Sequence, residues 1–124
     1  MKINYMSKIK ICITGGSGFI GTNAMNWALS KYDTINLDIH PPKILEQQKY
    51  WQYVDIRDFE TFKKALLDFQ PTHIIHLAAK TGMNISDMTF FDANTKGVEN
   101  LIRATQELNC VQRVVFASTL LICK

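Results

Sequence analysis

No stretch of this 124-residue chain stays apolar for long enough to cross a bilayer. Met1 to Lys8 is short and polar, so it does not read as a secretory signal. Basic clusters are missing as well. The 14 Lys and Arg are spread along the chain against 11 Asp and Glu, a net charge of +3, which argues against a nucleic-acid footprint. Cysteine is scarce: Cys12, Cys110 and Cys123 form no Cys-x-x-Cys pair and have no neighbouring His. An odd count of this kind fits reduced thiols in a cytosol rather than a disulfide scaffold. Repeats, low-complexity tracts and linkers are absent too. What remains is 47% hydrophobic and 20% charged, the make-up of a soluble globular protein. The length suits one core and is too short for two. Residues 1–8 therefore read as a tail, residues 9–124 as one domain, and the compartment as cytoplasmic.

Strand and helix signals alternate along that domain. Ile9 to Thr14 is β-branched, short, and stopped by a glycine cluster, as a buried strand would be. From Phe19 onward Ile20, Ala24, Trp27 and Ala28 fall at helical spacing, with Trp27 read as core. A second strand is expected over Thr34–Leu37, ending on Asp38, before His40-Pro41-Pro42 forces a loop. Tyr50–Val54 is a third strand, and Trp51 with Tyr50 and Tyr53 is placed near one end of the ligand crevice. Phe59, Phe62, Leu66 and Phe69 mark one face of a helix stopped at Pro71. Thr72–Leu77 is a fourth strand, followed by Ala78 and Ala79. A long helix is expected from about Asp87 to Leu108, with Ala93, Gly97, Leu101, Ala104 and Leu108 inward. Arg113–Ser118 makes a fifth strand. Strands joined by crossovers of helical length imply a parallel sheet covered by helices on both faces.

The turn Gly15-Gly16-Ser17-Gly18-Phe19-Ile20-Gly21 lies directly between the first strand and the first helix. Gly15 permits the tight turn, Gly18 lets backbone approach a pyrophosphate, and Gly21 lets helix and sheet pack closely. N–H groups at the helix start receive the phosphates. A lone glycine pattern is weak; its strand–turn–helix context gives it force. Asp38, at the tip of the second strand, can accept bonds from adenosine ribose hydroxyls and would repel a 2′-phosphate, so NAD is favoured over NADP. The plainer alternative is that Asp38 caps a loop. Together these features specify an α/β Rossmann-type fold, doubly wound about a parallel sheet.

Thr14-Gly15-Gly16-Ser17-Gly18-Phe19-Ile20-Gly21 strongly resembles the fingerprint of the extended short-chain dehydrogenase/reductase family, whose members include NAD-dependent sugar-nucleotide epimerases and dehydratases. The likeness runs along essentially the whole chain. Asp55-Ile56-Arg57-Asp58 is similar to the family's segment after the third strand, which implies that Asp55 and Ile56 contact adenine. His76-Leu77-Ala78-Ala79 resembles the motif after the fourth strand, which places Leu77, Ala78 and Ala79 beneath the cofactor. Asn94-Thr95-Lys96-Gly97-Val98-Glu99-Asn100-Leu101 is similar to the helix carrying the family's structural Asn, at Asn94. Val115-Phe116-Ala117-Ser118-Thr119 resembles the strand ending on the catalytic hydroxyl. By that resemblance Phe19, Ile20 and the three glycines join the cofactor site, and Thr119 takes the position that hydrogen-bonds the substrate's reacting oxygen. On the residues alone, Ser118 and Thr119 can equally serve to terminate a strand. Asn94 reads as a buried residue bonding backbone more readily than as a ligand contact.

The family continues beyond its Ser or Thr to a Tyr-x-x-x-Lys pair, in which Lys lowers the Tyr pKa for acid–base work. Here Leu120-Leu121-Ile122-Cys123-Lys124 follows, and none of Tyr5, Tyr32, Tyr50 or Tyr53 has Lys four residues later. The expectation is a sheet truncated after about its fifth strand, without a substrate domain. It should bind NAD with little or no catalysis alone, and nucleotide sugar only if the missing half is supplied. The alternative is a non-catalytic nucleotide-binding module that assembles with another chain. An open fifth-strand edge predicts self-association. Nucleic acid, membrane and metal are not expected: His73 and His76, three apart in a strand, point to opposite faces and read as packing residues.

Overall fold

The computed structural model of the protein describes residues 8–80 and 92–118. Chain order is β1 (Lys10–Thr14), α1 (Phe19–Leu29), β2 (Asp33–Asp38), a 3-10 helix (Leu45–Tyr50), β3 (Trp51–Tyr53), α2 (Phe59–Phe69), β4 (His73–His76), α3 (Asp92–Gln106) and β5 (Arg113–Phe116). All the strand pairs are parallel, in the order β3-β2-β1-β4-β5. The chain thus winds outward from β1 to one edge, then returns across it to build the other half. That reversal opens a crevice at the carboxyl ends of the strands, where Rossmann-type sheets take their ligands.

Alternation along β1 divides the core in two. Ile11 and Ile13 pack with Met25 and Ala28 of α1 on one face. Cys12 faces the other way, into a larger cluster with Leu37, Ile74, Phe62 and Leu66 of α2, and Leu101 and Ala104 of α3. A strand buried on both faces has no polar side to spare, which is why its centre, Ile11-Cys12-Ile13, is apolar throughout. Helix α2 is well delimited. Asp58 caps its start, accepting from the Thr61 N–H and hydroxyl, and Gln70 ends it in the left-handed region at φ 56°.

The sequence expectations need adjustment in several places. Helix α1 is rotated from its expected face: Gly21, Met25 and Ala28 are buried, whereas Ile20 and Trp27 are 64% and 46% exposed. Trp27 is not core; it meets Tyr32 edge-on near the helix end. Tyr50 closes the 3-10 helix rather than opening β3, because the segment after the prolines winds tightly before it can pair with β2. Helix α3 buries Gly97, Leu101 and Ala104 as its spacing predicts, and Asn100 with them; residues 87–91 lie outside the described residues. The strand β5 stands at an edge with Val115 and Phe116 about half exposed.

Candidate functional site

A cavity of about 360 Å³ lies at the carboxyl ends of the strands. Four loops supply its walls: the glycine turn after β1, residues 38–43 after β2, residues 54–57 after β3, and residues 77–80 after β4. Of the residues expected to hold a cofactor, Gly15, Gly18, Asp38, Asp55, Ile56, Leu77, Ala78 and Ala79 line it. Gly21 lies behind the turn, where a side chain would strike the Gly15 carbonyl oxygen and Gly16. Phe19 and Ile20 stand exposed at the start of α1, outside the lining. Asn94 is outside the lining but bonds the backbone of Lys80, which is in it. Thr119 falls outside the described residues.

The glycine turn is shaped to leave backbone bare. Gly15 sits at φ 73°, and a Cβ there would come within 2.6 Å of the Ala78 nitrogen. At Gly18 the nearest atom to an added Cβ is the Gly15 oxygen at 3.5 Å, so a methyl there would occupy open space. Gly18 is also the N-cap of α1, with no side chain capping it and no acidic residue in the first turn. The start of this helix is therefore left with backbone donors and partial positive charge for an anion. These features fit the pyrophosphate of a dinucleotide.

Ser17 joins this turn to the loop after β2. Its N–H donates to Asp38 Oδ2 at 3.0 Å, and its hydroxyl donates to the His40 carbonyl at 2.7 Å. The His40 N–H donates to the other Asp38 oxygen at 2.9 Å. The Trp51 indole N–H reaches the Asp38 carbonyl at 3.0 Å. Asp38 does end β2 and steer a loop, as the plainer reading has it, and it also lines the cavity. Each carboxylate oxygen keeps a lone pair beyond its backbone donor, so ribose hydroxyls can still be accepted. Beneath, Asn36 Nδ2 donates to Ser17 Oγ at 2.9 Å, and its amide fills the space that a Gly16 side chain would need.

The floor is tied to β1 through Thr14, buried at the strand end. Its hydroxyl accepts from the Ala78 N–H at 3.3 Å and lies 2.7 Å from His76 Nδ1. Which of the two donates is set by the imidazole tautomer, since a hydroxyl oxygen can accept twice as well as donate once. His76 is buried edge-on against Phe116, and burial lowers its pKa from 6.5 to about 4. His73 is half-buried on the opposite face and meets Thr72 Oγ1 at 2.8 Å. Among the described residues no group of three His, Cys, Asp or Glu stands together.

A stability effect follows from His76. The folded state disfavours its charged form, so between pH 6.5 and 4 the unfolded chain binds more protons. The contribution is present above pH 6.5 and is lost as pH falls through 4, on the order of 2–3 kcal/mol over that window. Urea titrations from pH 7 to 4 should show the fall in the parent chain and a much flatter profile in His76→Gln.

Two asparagines with distinct tasks support the cavity walls after β3 and β4. Asn94 is exposed rather than buried as expected, yet it bonds backbone: Oδ1 accepts from the Lys80 N–H at 2.7 Å and Nδ2 donates to the Lys80 carbonyl at 3.0 Å. The buried Asn is Asn100, whose Nδ2 donates to the carbonyls of Ile56 and Arg57 at 2.8 and 3.0 Å. Sequence reading passed it over, although its place on the Gly97–Leu101–Ala104 stripe was a usable signal. It also passed over Thr14, Asn36 and Arg57, whose partners lie far along the chain or in side-chain geometry.

Comparison with known proteins agrees with this geometry. The model of the NAD dependent epimerase/dehydratase family matches residues 11–122. A UDP-glucose 4-epimerase of Mycoplasma pneumoniae is 28% identical over 91% of this chain and 36% of its own length. A GDP-6-deoxy-D-talose 4-dehydrogenase of Aggregatibacter actinomycetemcomitans is 33% identical over 82% of this chain and 32% of its own length. Among solved structures, the UDP-glucose 4-epimerase of Thermus thermophilus in complex with NAD superposes with a TM-score of 0.77. It is 30% identical to this chain, covering 90% of it and 38% of the epimerase. The chain thus spans about a third of the length of the relatives it matches. On sequence, on sheet order and on the glycine turn alike, it belongs to the NAD-dependent epimerase/dehydratase family.

Proposed function

We propose that these residues form the NAD-binding part of an epimerase/dehydratase-like protein. The observation that carries the reading is the continuous cavity from the Gly15–Gly18 turn past Asp38 to Asp55. Pyrophosphate lies on the bare start of α1, adenosine ribose on Asp38, and adenine against Asp55 and Ile56, above a floor of Leu77, Ala78 and Ala79. Phe19, Ile20 and Gly21 act through the backbone of the same turn, and Asn94 by holding the Lys80 peptide. When bound, NAD supplies reversible hydride acceptance. Isothermal titration of the full chain with NAD tests the reading, and absence of binding overturns it.

Asp38 provides the selectivity. Its carboxylate, fixed by the Ser17 and His40 N–H groups, accepts ribose hydroxyls and repels a 2′-phosphate. Asp38→Asn should weaken NAD by about tenfold and narrow its advantage over NADP, as expected for loss of one charge-assisted hydrogen bond. Titration of both dinucleotides against both proteins checks this; an unchanged NAD-to-NADP ratio would sink it.

The relatives' names support nucleotide sugars as the substrate class, and the resemblance of Val115–Thr119 to the family's strand end supports Thr119 as the substrate-binding hydroxyl. Turnover needs an acid–base pair such as Tyr-x-x-x-Lys, which these 124 residues do not contain. Binding rather than chemistry is therefore their expected activity alone. Buried Cys12 and half-buried Cys110 are free thiols, which supports a reducing, cytoplasmic setting. Among the described residues no helix is long and apolar enough to cross a membrane. The exposed Val115 and Phe116 on the edge strand β5 support self-association through that edge. Sedimentation at rising concentration should show oligomers, and a monodisperse monomer would refute the interface.

A further inference from the structure

Among the described residues, two buried side-chain polar atoms have no protein partner, Asn36 Oδ1 and Gln47 Oε1. Buried amides normally satisfy both halves, so each orphan marks a place where the fold is not at its stability optimum. The other half of each amide has the same task. It ties down the loop after β2, which forms one wall of the cavity.

At the near end of that loop, Asn36 Nδ2 donates to Ser17 Oγ, and Ser17 Oγ donates to the His40 carbonyl. At the far end stands Gln47, in the 3-10 helix and only 1% exposed. Its Nε2 donates to the Thr22 carbonyl at 3.1 Å and to Asn26 Oδ1 at 2.8 Å. Both acceptors belong to α1, one turn apart. Between the two ties lie His40, Pro41 and Lys43, which line the cavity.

The Gln47 tie does little for stability. The Thr22 carbonyl has the Asn26 N–H as its helical donor, and Asn26 is exposed, so its oxygen can turn to water. Removing the Gln47 amide therefore strands no buried group and abolishes the orphan Oε1. What the amide supplies is direction. Two acceptors fix where the 3-10 helix sits along α1, whereas apolar contact alone lets it slide. Helix α1 starts at Gly18, one turn before Thr22, where its bare backbone donors lie.

We propose that Gln47 is a positioning residue for the dinucleotide: its buried amide fixes the loop after β2 to α1, so that the ribose wall and the phosphate-binding helix start are held in register before the ligand arrives. The inference rests on the NAD reading above. It adds a residue outside the cavity lining that sets affinity through preorganisation rather than contact. A loop in register for only a fraction of the time lowers the apparent affinity by that fraction.

Gln47→Met keeps an unbranched side chain and removes the amide. In the full chain its urea midpoint should equal or exceed the parent's, while calorimetry should show NAD weakened about three- to tenfold. Asn26→Ala cuts the same tie from the exposed side, at a position where alanine suits the helix, and serves should the methionine variant fail to fold. It should weaken NAD about two- to threefold at an unchanged or raised midpoint. Amide hydrogen exchange over residues 39–46 should quicken in both variants. A merely structural glutamine would lower the midpoint and leave the affinity of the folded fraction unchanged. That result, or NAD binding at parental strength in either variant, overturns this inference alone. If the parent binds no NAD, the NAD reading falls and this inference with it.

Discussion

Gly15→Ala is expected to unfold the protein or leave it barely folded, whereas Gly18→Ala should fold normally and fail to bind NAD. At Gly15 two costs combine. The left-handed backbone at φ 73° disfavours any side chain, by about 1–2 kcal/mol. The new methyl would also press on the backbone of Ala78 and Leu77 at 2.6–2.8 Å, where no side-chain rotation can relieve it. Such overpacking adds about 1–3 kcal/mol, and the total of about 2–5 kcal/mol reaches the lower end of the stability of a small domain. At Gly18 an added methyl meets nothing nearer than 3.5 Å in the free protein. It would instead stand where a pyrophosphate must approach the helix start. Thermal melts separate the two variants, and NAD titration of Gly18→Ala completes the comparison. Equal melting temperatures for both would mean that the close approach of Gly15 to the Ala78 backbone carries no such cost.

Asn100→Leu carries the second large effect. Leucine matches the volume and suits the apolar stripe of α3, so a substitution table would pass it. It nevertheless strips the carbonyls of Ile56 and Arg57 of their common donor. An unsatisfied buried carbonyl costs about 1–3 kcal/mol, so a total of about 2–4 kcal/mol is expected for the fully buried and the partly buried acceptor together. The damage should also reach the ligand, because the segment that Asn100 anchors carries Asp55 into the cavity wall. Denaturant unfolding should show the lost stability, and NAD affinity should fall further than in a core variant of similar ΔΔG such as Leu101→Ala. If the two variants bind NAD alike at a temperature where both are folded, Asn100 supports the fold alone.

Much of this site was legible in the sequence because its logic is local. The strand–turn–helix unit from Ile11 to Leu29 is defined by β-branched residues, three spaced glycines and an apolar helix pattern within twenty residues. Asp38 and Asp55 each follow a strand signal, and parallel topology places the ends of such strands on one rim. Exposure was less legible. Trp27 was expected in the core, but helical spacing identifies a stripe without fixing which side of it meets the sheet. Met25 and Gly21, not Trp27 and Ile20, take the inner line because the close packing at Gly21 sets the rotation of α1.

By itself, then, the sequence determined the alternation of elements, the phosphate turn and the family, since each is written in short-range spacing. Only the tertiary structure decided how the pieces are locked. Thr14 bonds His76 across 62 residues, Asn100 reaches Ile56 across 44, and Asp38 receives Ser17 across 21. No periodicity encodes such pairs, because a polar side chain's partner is set by which strands become neighbours and in what register. The same holds for the turn on which the function rests. Spacing marks Gly15 and Gly18 alike, but only the packed backbone of Ala78 makes one indispensable to the fold and leaves the other open for a ligand.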